Sequence, residues 1–314
     1  MAIGWLADGS EAEVRHGLAV SGIPVRNVVV RPSDPGSDPL WWSSSAFVND
    51  DLVAKFAWSE VRATVLHREG LLLRRLAGRA SGLRLPELVV LNDDPVMVIT
   101  RRLDGEPLSF EAASGLGGRR FEAVASGLAR FLADLHRLDV ENLTGGLPHV
   151  TPTAQADTAA LRARYGRLVD DRRARLVAGW CAWVDEVLGD RVTDAVLLHG
   201  DLHGYNQLWD LEAGELVLVV DFEGSGAGDR HFDFRYLAGN SSSTELMCAI
   251  VEAYGGYTGE RLSLDRIMAW HVLTALGDAL WRTEAGVDLP GGGDPCSYVD
   301  EVERRLSEVD IGTG

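Results

Sequence analysis

The sequence is poor in lysine, and this scarcity singles out one residue. Of its 30 basic residues, 29 are arginine, and Lys55 is the only lysine. The two side chains are not interchangeable where a compact ammonium charge is needed instead of a planar guanidinium. A lysine that remains in such an arginine-rich chain therefore marks a candidate functional position. The alternative is that Lys55 remains by chance.

Cysteine is also scarce, and long apolar runs are missing. The three cysteines lie far apart without the CxxC spacing of a metal site, so we expect reduced thiols in a cytoplasmic protein. They are Cys181, Cys248 and Cys296. The longest apolar stretches, such as residues 216–220, are as long as a strand and much shorter than the ~18 residues of a membrane span. Residues 1–5 lack the pattern of a secretory signal. Because the apolar runs are short and the chain is acidic, we expect no membrane partner.

The chain lacks a basic surplus, and its acidic charge is unevenly distributed. The formal net charge is −17 at pH 7, and the 46% hydrophobic and 25% charged residues are typical of a soluble globular protein. Residues 1–103 hold 12 acidic and 12 basic residues, so the whole excess negative charge lies in residues 104–314. This argues against nucleic acid and anionic membranes as partners. A cationic ligand for the C-terminal part fits the charge, and so does an acidic surface that only maintains solubility.

The first hundred residues show strand patterns interrupted by one helix. A strand is predicted over residues 23–31, and hairpins are predicted over residues 46–56 and 88–99. Between the hairpins, residues 59–76 have the periodicity of a helix.

After residue 100 the pattern becomes mainly helical. Helices are predicted over residues 121–135, 161–188 and 267–281. Short strands are predicted over residues 195–198, 207–209 and 216–222. We therefore predict an α+β protein of two lobes, residues 1–102 and residues 103–314, joined near Thr100–Asp104.

The helix predicted over residues 59–76 carries a carboxylate on its apolar face. The residues that share this face are Val65, Glu69, Leu72 and Leu76. An inward carboxylate is unfavourable unless a cation pairs with it. We expect Lys55, on the adjoining strand, to supply that cation.

Two short segments contain the residues suited to catalysis. Residues 199–206 read HGDLHGYN after an apolar run, and a second apolar run, residues 216–220, leads into Asp221. Asp201, Asn206 and Asp221 thus follow strand ends that can hold them rigidly. Phosphoryl transfer uses such a set, because it needs hard oxygen ligands for Mg²⁺, a carboxylate that orients the attacking hydroxyl, and a lysine that binds nucleotide phosphates.

Together with Lys55 and Glu69, these segments resemble the aminoglycoside phosphotransferase and choline kinase family, which has a protein-kinase-like fold. The resemblance covers residues 41–237 and is most specific in the HGDxHxxN stretch followed by VDF. It implies a small β-rich lobe that binds the nucleotide and a larger helical lobe that carries the catalytic residues and binds the acceptor.

The resemblance also implies roles for individual residues. Asp201 would be the catalytic base, and Asn206 and Asp221 would bind Mg²⁺. Lys55, paired with Glu69, would contact the α- and β-phosphates of ATP or GTP. A hinge would present backbone groups to the purine base, and its residues are Thr100, Arg101, Arg102 and Leu103.

Two features favour a small-molecule acceptor over a protein. His199 is followed by Gly200 where protein kinases have arginine, and only eleven residues separate Asp221 from Asp233, too few for a regulated activation loop. The sequence also departs from the family pattern. No Gly-x-Gly-x-x-Gly motif precedes Lys55, so either residues 43–45 or residues 32–39 must cover the phosphates, and Gly204 stands where many aminoglycoside kinases have an acid.

Other interpretations of the same residues are weaker. His199, Asp201 and His203 suggest zinc, but their spacing falls on a loop that offers no clear further ligand. Residues 224–228 look like a dinucleotide-binding loop without the βαβ unit, and we interpret them as a flexible connection. Asp233 is interpreted as a buried support for the loop around Asp201.

We therefore predict a kinase that uses Mg²⁺ and ATP or GTP to phosphorylate a hydroxyl of a cationic small molecule. An aminoglycoside-type antibiotic is the leading acceptor, since aminoglycosides are polycations. The alternatives are a metabolic kinase of an amino alcohol or amino sugar, and a catalytically silent nucleotide-binding module. No protein partner is evident. The candidate acceptor contacts are Glu223, Asp229, Asp278 and Glu284, with Trp270 and Trp281 as candidate walls of the cleft.

Overall fold

A computed structural model of the protein describes residues 3–31, 41–79, 82–147, 156–189, 192, 194–289 and 292–311. The N-terminal lobe contains an antiparallel sheet of five strands: β1 (Val28–Val30), β2 (Ser43–Val48), β3 (Leu52–Ala57), β4 (Leu88–Asp93) and β5 (Val96–Arg101). Their order across the sheet is β1-β2-β3-β5-β4. Lys55 therefore lies on the central strand.

Two helices cover the two faces of this sheet. Helix α1 (Glu11–Val20) shares one hydrophobic cluster with alternate residues of Val96–Ile99, and helix α2 (Glu60–Leu76) shares a second cluster with the others. All four residues of Val96–Ile99 are buried. The apolar run is continuous here because both faces of strand β5 are covered.

The predicted hairpins are confirmed, but the first strand is shorter than predicted. Asn49 and Asp50 have φ angles of 54° and 68°, a left-handed backbone that is common in tight hairpin turns, and they lie in the three-residue turn between the paired residues Val48 and Leu52. Asn49 also accepts hydrogen bonds at Oδ1 from the backbone N–H groups of Arg26 and Asn27. The N–H groups of these two residues therefore bond to a side chain instead of to a neighbouring strand, and β1 begins only at Val28.

The C-terminal lobe is mainly helical, as predicted. Its helices are α3 (Phe110–Ser114), α4 (Gly118–His136), α5 (Val140–Thr144), α6 (Thr158–Leu168), α7 (Asp171–Leu188), α8 (Glu245–Thr258), α9 (Leu264–Ala285) and α10 (Pro295–Glu308). Its strands are β6 (Glu106–Pro107), β7 (Val196–Leu198), β8 (Gln207–Asp210), β9 (Glu215–Val219) and β10 (Gly226–Gly228). Strands β6, β8 and β9 form one small sheet, and β10 pairs with β7.

The helix predicted over residues 161–188 is two helices, because Asp170 begins a new one. Its side chain accepts hydrogen bonds from the N–H groups of Arg172 and Arg173 and so caps the first turn of α7. The strand predicted to reach residue 222 ends at Val219, since Asp221 has a left-handed backbone with φ 69°. This break is what turns Asp221 out of the strand.

The core of the large lobe is continuous with the packing of the small lobe. One hydrophobic cluster includes Leu66 and Leu72 of α2, Val98 of β5, and buried residues of helices α4, α7, α8 and α9. Helix α2 therefore packs into both lobes, and it carries Glu69. Among the described residues, no helix is both long and apolar enough to cross a membrane.

Candidate active site

The predicted loop His199–Asn206 follows β7 and is supported by Asp233. The two carboxylate oxygens of Asp233 accept hydrogen bonds from the backbone N–H groups of His199 and Gly200, each at 2.8 Å. His136 Nε2 lies 3.2 Å from the same carboxylate, which is fully buried. Burial alone would raise the pKa of Asp233, but His136 and the backbone donors outweigh it and lower the pKa. Asp233 is thus the buried support that the sequence indicated.

Glycines allow this loop to pass close to the segment after Asp221. Gly200 has φ 85°, and a Cβ there would lie 2.0 Å from the carbonyl oxygen of Gly224. The segment is not the flexible connection that we expected, because Gly226–Gly228 forms β10 in antiparallel pairing with β7. A Cβ on Gly228 would lie 2.6 Å from Leu198 Cδ1. Gly200 therefore allows two backbones to approach closely, and Gly228 leaves room for the side chain of Leu198.

His199 has a structural environment and is not placed as a zinc ligand. Its Nε2 lies 2.9 Å from the carbonyl oxygen of Val220, and its Nδ1 accepts a hydrogen bond from the N–H of Asp201 at 3.2 Å. Its ring packs against Phe222 with the ring centres 4.5 Å apart. Burial lowers the pKa of His199, so the ring is neutral at neutral pH.

Asp201 lies at the end of the supported loop as an ionised carboxylate. Its Oδ1 accepts a hydrogen bond from the Tyr236 hydroxyl at 2.9 Å, and its Oδ2 lies 3.5 Å from His203 Nε2. Arg235 adds a guanidinium 3.9 Å from Oδ1. Burial alone would raise the pKa of Asp201, but His203, Arg235 and Tyr236 outweigh it and lower the pKa to about 2. A carboxylate this acidic is a weak base, so it is better suited to orienting a hydroxyl than to removing its proton early.

Asn206 and Asp221 supply oxygen ligands of the kind that Mg²⁺ prefers. Asn206 Nδ2 donates to the carbonyl oxygen of Asp201 at 2.8 Å, which leaves the amide oxygen as the atom that could bind a metal. The carbonyl oxygen of Asn206 accepts from the N–H of Val220 at 2.9 Å, and this bond ties the two loops together. The residues present therefore fit a magnesium site next to Asp201.

Lys55 is surrounded by three carboxylates. Its Nζ donates to both oxygens of Glu69 at 2.9 Å and to Asp221 Oδ1 at 2.9 Å, and it lies 3.7 Å from Glu223 Oε1. Burial alone would lower the pKa of Lys55, but the charges of Asp221, Glu69 and Glu223 outweigh it and raise the pKa. Glu69 is buried on α2 and also accepts from the backbone N–H of Phe222 at 3.0 Å. The expected pair of Lys55 and Glu69 is present within the small lobe, and its bonds to Asp221 and Phe222 connect it to the large lobe.

The three carboxylates also meet the geometry of a metal-binding group. Ligand atoms of Glu69, Asp221 and Glu223 lie within 4.8 Å of one another. The ammonium of Lys55 bonds to two of them and lies near the third. The positive charge of Lys55 accounts for the close approach of the three carboxylates. We therefore interpret them as counter-ions of Lys55 and not as a separate metal site.

A cavity of about 350 Å³ opens in front of Lys55. It is lined by Arg31, Ser43, Ser44, Ser45, Lys55, Phe56, Arg62, Leu66, Asp221 and Glu223. Of the two segments proposed to cover the phosphates, residues 43–45 line this cavity, and residues 32–39 lie outside the described residues. The cavity size is in the range of small-molecule sites.

The hinge candidates lie at the end of β5, away from the lining of this cavity. Thr100 and Arg101 belong to the strand, and the N–H of Arg101 donates to the carbonyl oxygen of Glu87. The N–H of Arg102 donates to the carbonyl oxygen of Asp51, and Leu103 is half exposed. The amides of Arg101 and Arg102 are therefore already bonded within the protein.

The four acceptor candidates lie in separate places. Glu223 pairs with Arg62 beside Lys55. Asp229 is buried and accepts hydrogen bonds from Arg266 and from the Trp270 indole N–H, and it lies beside His231 Nδ1. Because Arg266 and Trp270 belong to α9, Asp229 anchors the start of that helix. The remaining two pair with arginines: Asp278 with Arg282 on α9, and Glu284 with Arg164 of α6.

One aromatic contact joins the lobes. Trp41, just before β2, and Trp281, near the end of α9, have ring centres 5.7 Å apart, and both are partly exposed. Trp270 is half-buried, and its ring packs on that of Phe232 with the ring centres 5.0 Å apart. Of the two tryptophans proposed as cleft walls, Trp281 is the one at an exposed position between the lobes.

Three residues of the site were not found from the sequence: Arg62, Arg235 and Tyr236. Arg62 lies seven residues before Glu69, hence on the same helical face, and that spacing could have identified it. Arg235 and Tyr236 contact Asp201 from more than 30 positions away, and no local pattern signals such a contact.

Comparison with known proteins agrees with this geometry. Residues 41–270 match the model of a family described as "Phosphotransferase enzyme family". The viomycin phosphotransferase of Streptomyces vinaceus is 29% identical over 243 residues, which cover 74% of this chain and 82% of that protein.

Solved structures show the same fold at low sequence identity. The GDP complex of aminoglycoside 2'-phosphotransferase-IIIa superposes with a TM-score of 0.71 at 16% identity, covering 95% of this chain and 98% of that chain. Macrolide 2'-phosphotransferase type I superposes with a TM-score of 0.61 at 18% identity, covering 98% and 99%. The protein-kinase-like fold is thereby confirmed. Since the family model spans most of the chain, the protein belongs to the phosphotransferase enzyme family, as the HGDLHGYN segment predicted.

Proposed function

We propose that this phosphotransferase transfers the γ-phosphoryl group of ATP or GTP to a hydroxyl of a cationic small molecule, with an aminoglycoside-type antibiotic as the leading acceptor class. The observation that carries the proposal is the convergence of Lys55 from the small lobe with Asp201, Asn206 and Asp221 from the large lobe. Phosphoryl transfer depends mainly on positioning and charge, which such a set supplies.

Each residue has a defined part in this reaction. Lys55 binds phosphate oxygens once the nucleotide displaces its bond to Asp221. Asn206 and Asp221 would hold Mg²⁺, which would supply positive charge that neutralises the phosphates. Asp201, fixed by the Tyr236 hydroxyl, accepts a hydrogen bond from the acceptor hydroxyl and orients its oxygen toward the γ-phosphorus. The hydroxyl proton passes to Asp201 as the new O–P bond forms and the β–γ bridging bond breaks.

The proposed acceptor class follows from charge and from the relatives. The residues after position 103 carry the whole net charge of −17, which favours a cation by electrostatic steering. The relatives include enzymes named for viomycin, aminoglycosides and macrolides, so antibiotics are the first compounds to test.

The test is a phosphorylation panel with a mass readout. The protein is incubated with Mg²⁺ and ATP or GTP, and with kanamycin, gentamicin, streptomycin, viomycin, a macrolide, choline or an amino sugar. We expect a cationic antibiotic to gain one phosphoryl group, and the Asp201→Asn protein to leave it unmodified. Phosphorylation of choline or the amino sugar alone would replace the antibiotic proposal with a metabolic kinase. No product from any acceptor, with nucleotide still bound, would support a silent nucleotide-binding module.

A further inference from the structure

Arg62 occupies a position in the cavity that the family pattern does not explain. It lies on α2 two turns before Glu69, and its side chain lines the cavity together with Lys55. Its Nε donates to Ser43 Oγ at 3.0 Å, and its Nη2 contacts Glu223. Both charged side chains are 19% exposed, so the pair is largely withdrawn from water.

The partners of Arg62 lie in two segments that line the cavity in front of Lys55. Ser43 begins the 43–45 segment, which lines the cavity where a glycine-rich loop is missing. Glu223 follows Asp221 by two residues and also lies 3.7 Å from Lys55. Arg62 therefore connects the covering segment to the metal-binding loop through two polar contacts.

The charges around the cavity favour an exchange in which Arg62 leaves Glu223 and binds the phosphates. The cavity and its immediate border hold three cations, Arg31, Lys55 and Arg62, against three carboxylates, Glu69, Asp221 and Glu223. A triphosphate carries more negative charge than one Mg²⁺ would neutralise, so its binding adds net negative charge to this balanced set. The planar guanidinium fork binds phosphate oxygens in a bidentate manner, and an arginine beside the phosphates is stabilised by bonding to them.

We propose that Arg62 is a phosphate-binding residue that Glu223 holds before the nucleotide binds, and that the triphosphate displaces Glu223 from Arg62. The inference rests on the proposed use of a nucleoside triphosphate. Glu223 then acts as a competitor of the phosphates for Arg62, and Ser43 keeps the guanidinium on the cavity side. This assigns Glu223 to the nucleotide side of the site and not to the acceptor.

The competition predicts opposite effects for the two members of the pair. Arg62→Met removes a phosphate ligand, so the Kd for ATP or GTP with Mg²⁺ should rise about 10-fold or more. Glu223→Gln removes the competitor, so the same Kd should fall about threefold to tenfold. Binding of adenosine or guanosine should be unchanged in both variants, because the nucleosides carry no phosphate. These nucleosides also report whether the variant cavity is intact.

The experiment is calorimetric titration without any acceptor. Arg74→Met and Glu60→Gln are matched controls, because both residues are exposed on α2 and should bind triphosphate like the wild type. Arg62→Lys keeps the charge without the fork and should be intermediate. In the Arg62→Met, Glu223→Gln double variant, the tightening caused by Glu223→Gln should largely disappear.

Three results would overturn the inference. An Arg62→Met protein with wild-type triphosphate affinity would exclude a phosphate contact. Weaker triphosphate binding in both single variants would mean that the pair only maintains structure. Full tightening by Glu223→Gln in the Arg62→Met background would mean that Glu223 competes for Lys55 instead. Acceptor phosphorylation does not enter the measurement, so each result leaves the proposed function standing.

Discussion

In the small-lobe half of the site, Lys55 is held by the side chains of Glu69, Asp221 and Glu223, whereas in the large-lobe half Asp201 lies on a loop whose backbone is bound by Asp233. Ion pairs between side chains can exchange partners when a ligand arrives. Backbone hydrogen bonds to a buried carboxylate cannot do so without breaking the loop. From this difference we infer that, in the proposed reaction, the first half would adjust to the nucleotide while the second would hold the acceptor hydroxyl in a fixed place.

The largest effect is expected where the rigid half meets the acceptor. Asp201→Asn should reduce kcat by about 10³-fold, since the amide cannot accept the proton of the hydroxyl. Nucleotide affinity should change little, because Lys55 and Asp221 remain. Steady-state kinetics and nucleotide titration measure the two effects, with Asp265→Asn, an exposed aspartate of α9, as the control. A variant that kept wild-type kcat would remove Asp201 from the reaction.

Removing the buried support of the Asp201 loop should lower the stability of the protein more than its affinity for nucleotide. In Asp233→Asn, one of the two carboxylate oxygens that accept backbone hydrogen bonds becomes an NH₂ group. This NH₂ group would face the N–H of His199 or Gly200, and neither could accept a hydrogen bond from it. The free energy of unfolding should fall by about 3 kcal/mol, and kcat should fall with it. Denaturant unfolding measures the loss. Unchanged stability would show that the loop is held by other contacts, and the contrast between the two halves would then be wrong.

The adjustable half should respond in its ligand affinity. Lys55→Arg keeps the charge but introduces a larger planar group, so the nucleotide KM should rise about 10-fold or more. The stability loss should be smaller than for Asp233→Asn, since an arginine can still pair with Glu69. Equal nucleotide affinities for Lys55→Arg and the wild type would show that a general positive charge is sufficient. The scarcity of lysine would then have no functional cause.

The smallest effect concerns pH. Asp201 has a pKa of about 2, and that of Asp233 is also lowered, so both favour the folded state when ionised. This stabilisation is present above about pH 4 and is lost as the pH falls from about 4 to 2. Between pH 5 and pH 8, kcat should not change with the protonation of Asp201, because that carboxylate stays ionised. Thermal unfolding below pH 5 tests the loss of stability at low pH, and the pH profile of kcat tests the expected constant rate. A change of kcat between pH 5 and 8 that disappears in the Asp201→Asn protein would contradict the low pKa of Asp201.

The sequence predicted those parts of the site that depend on local spacing. Glu69 lies on the apolar face of α2, so the sequence predicted a buried carboxylate with Lys55 as its cation. The structure confirms this contact. The segment around Asp201 follows a buried strand, as its apolar run required. The family membership and the two-lobed fold followed from the same residues and are confirmed.

The parts that were missed depend on contacts between distant segments. Arg62 and Glu223 are 161 positions apart, and their pairing is set by the way α2 packs against the loop after Asp221. The acceptor candidates came from a charge count, which says how many acids a lobe has and not which of them are buried. Asp229 is the example, because the nearby donors of His231, Arg266 and Trp270 hold it inside.

The single lysine also makes the small lobe separately observable. A lysine-specific protease has one cleavage site in the whole chain, after Lys55. That bond lies within β3, which is paired with β2 on one side and β5 on the other, so it can be cut only when the strand leaves the sheet. The cutting rate therefore measures the opening of one strand in a protein of 314 residues, without any label.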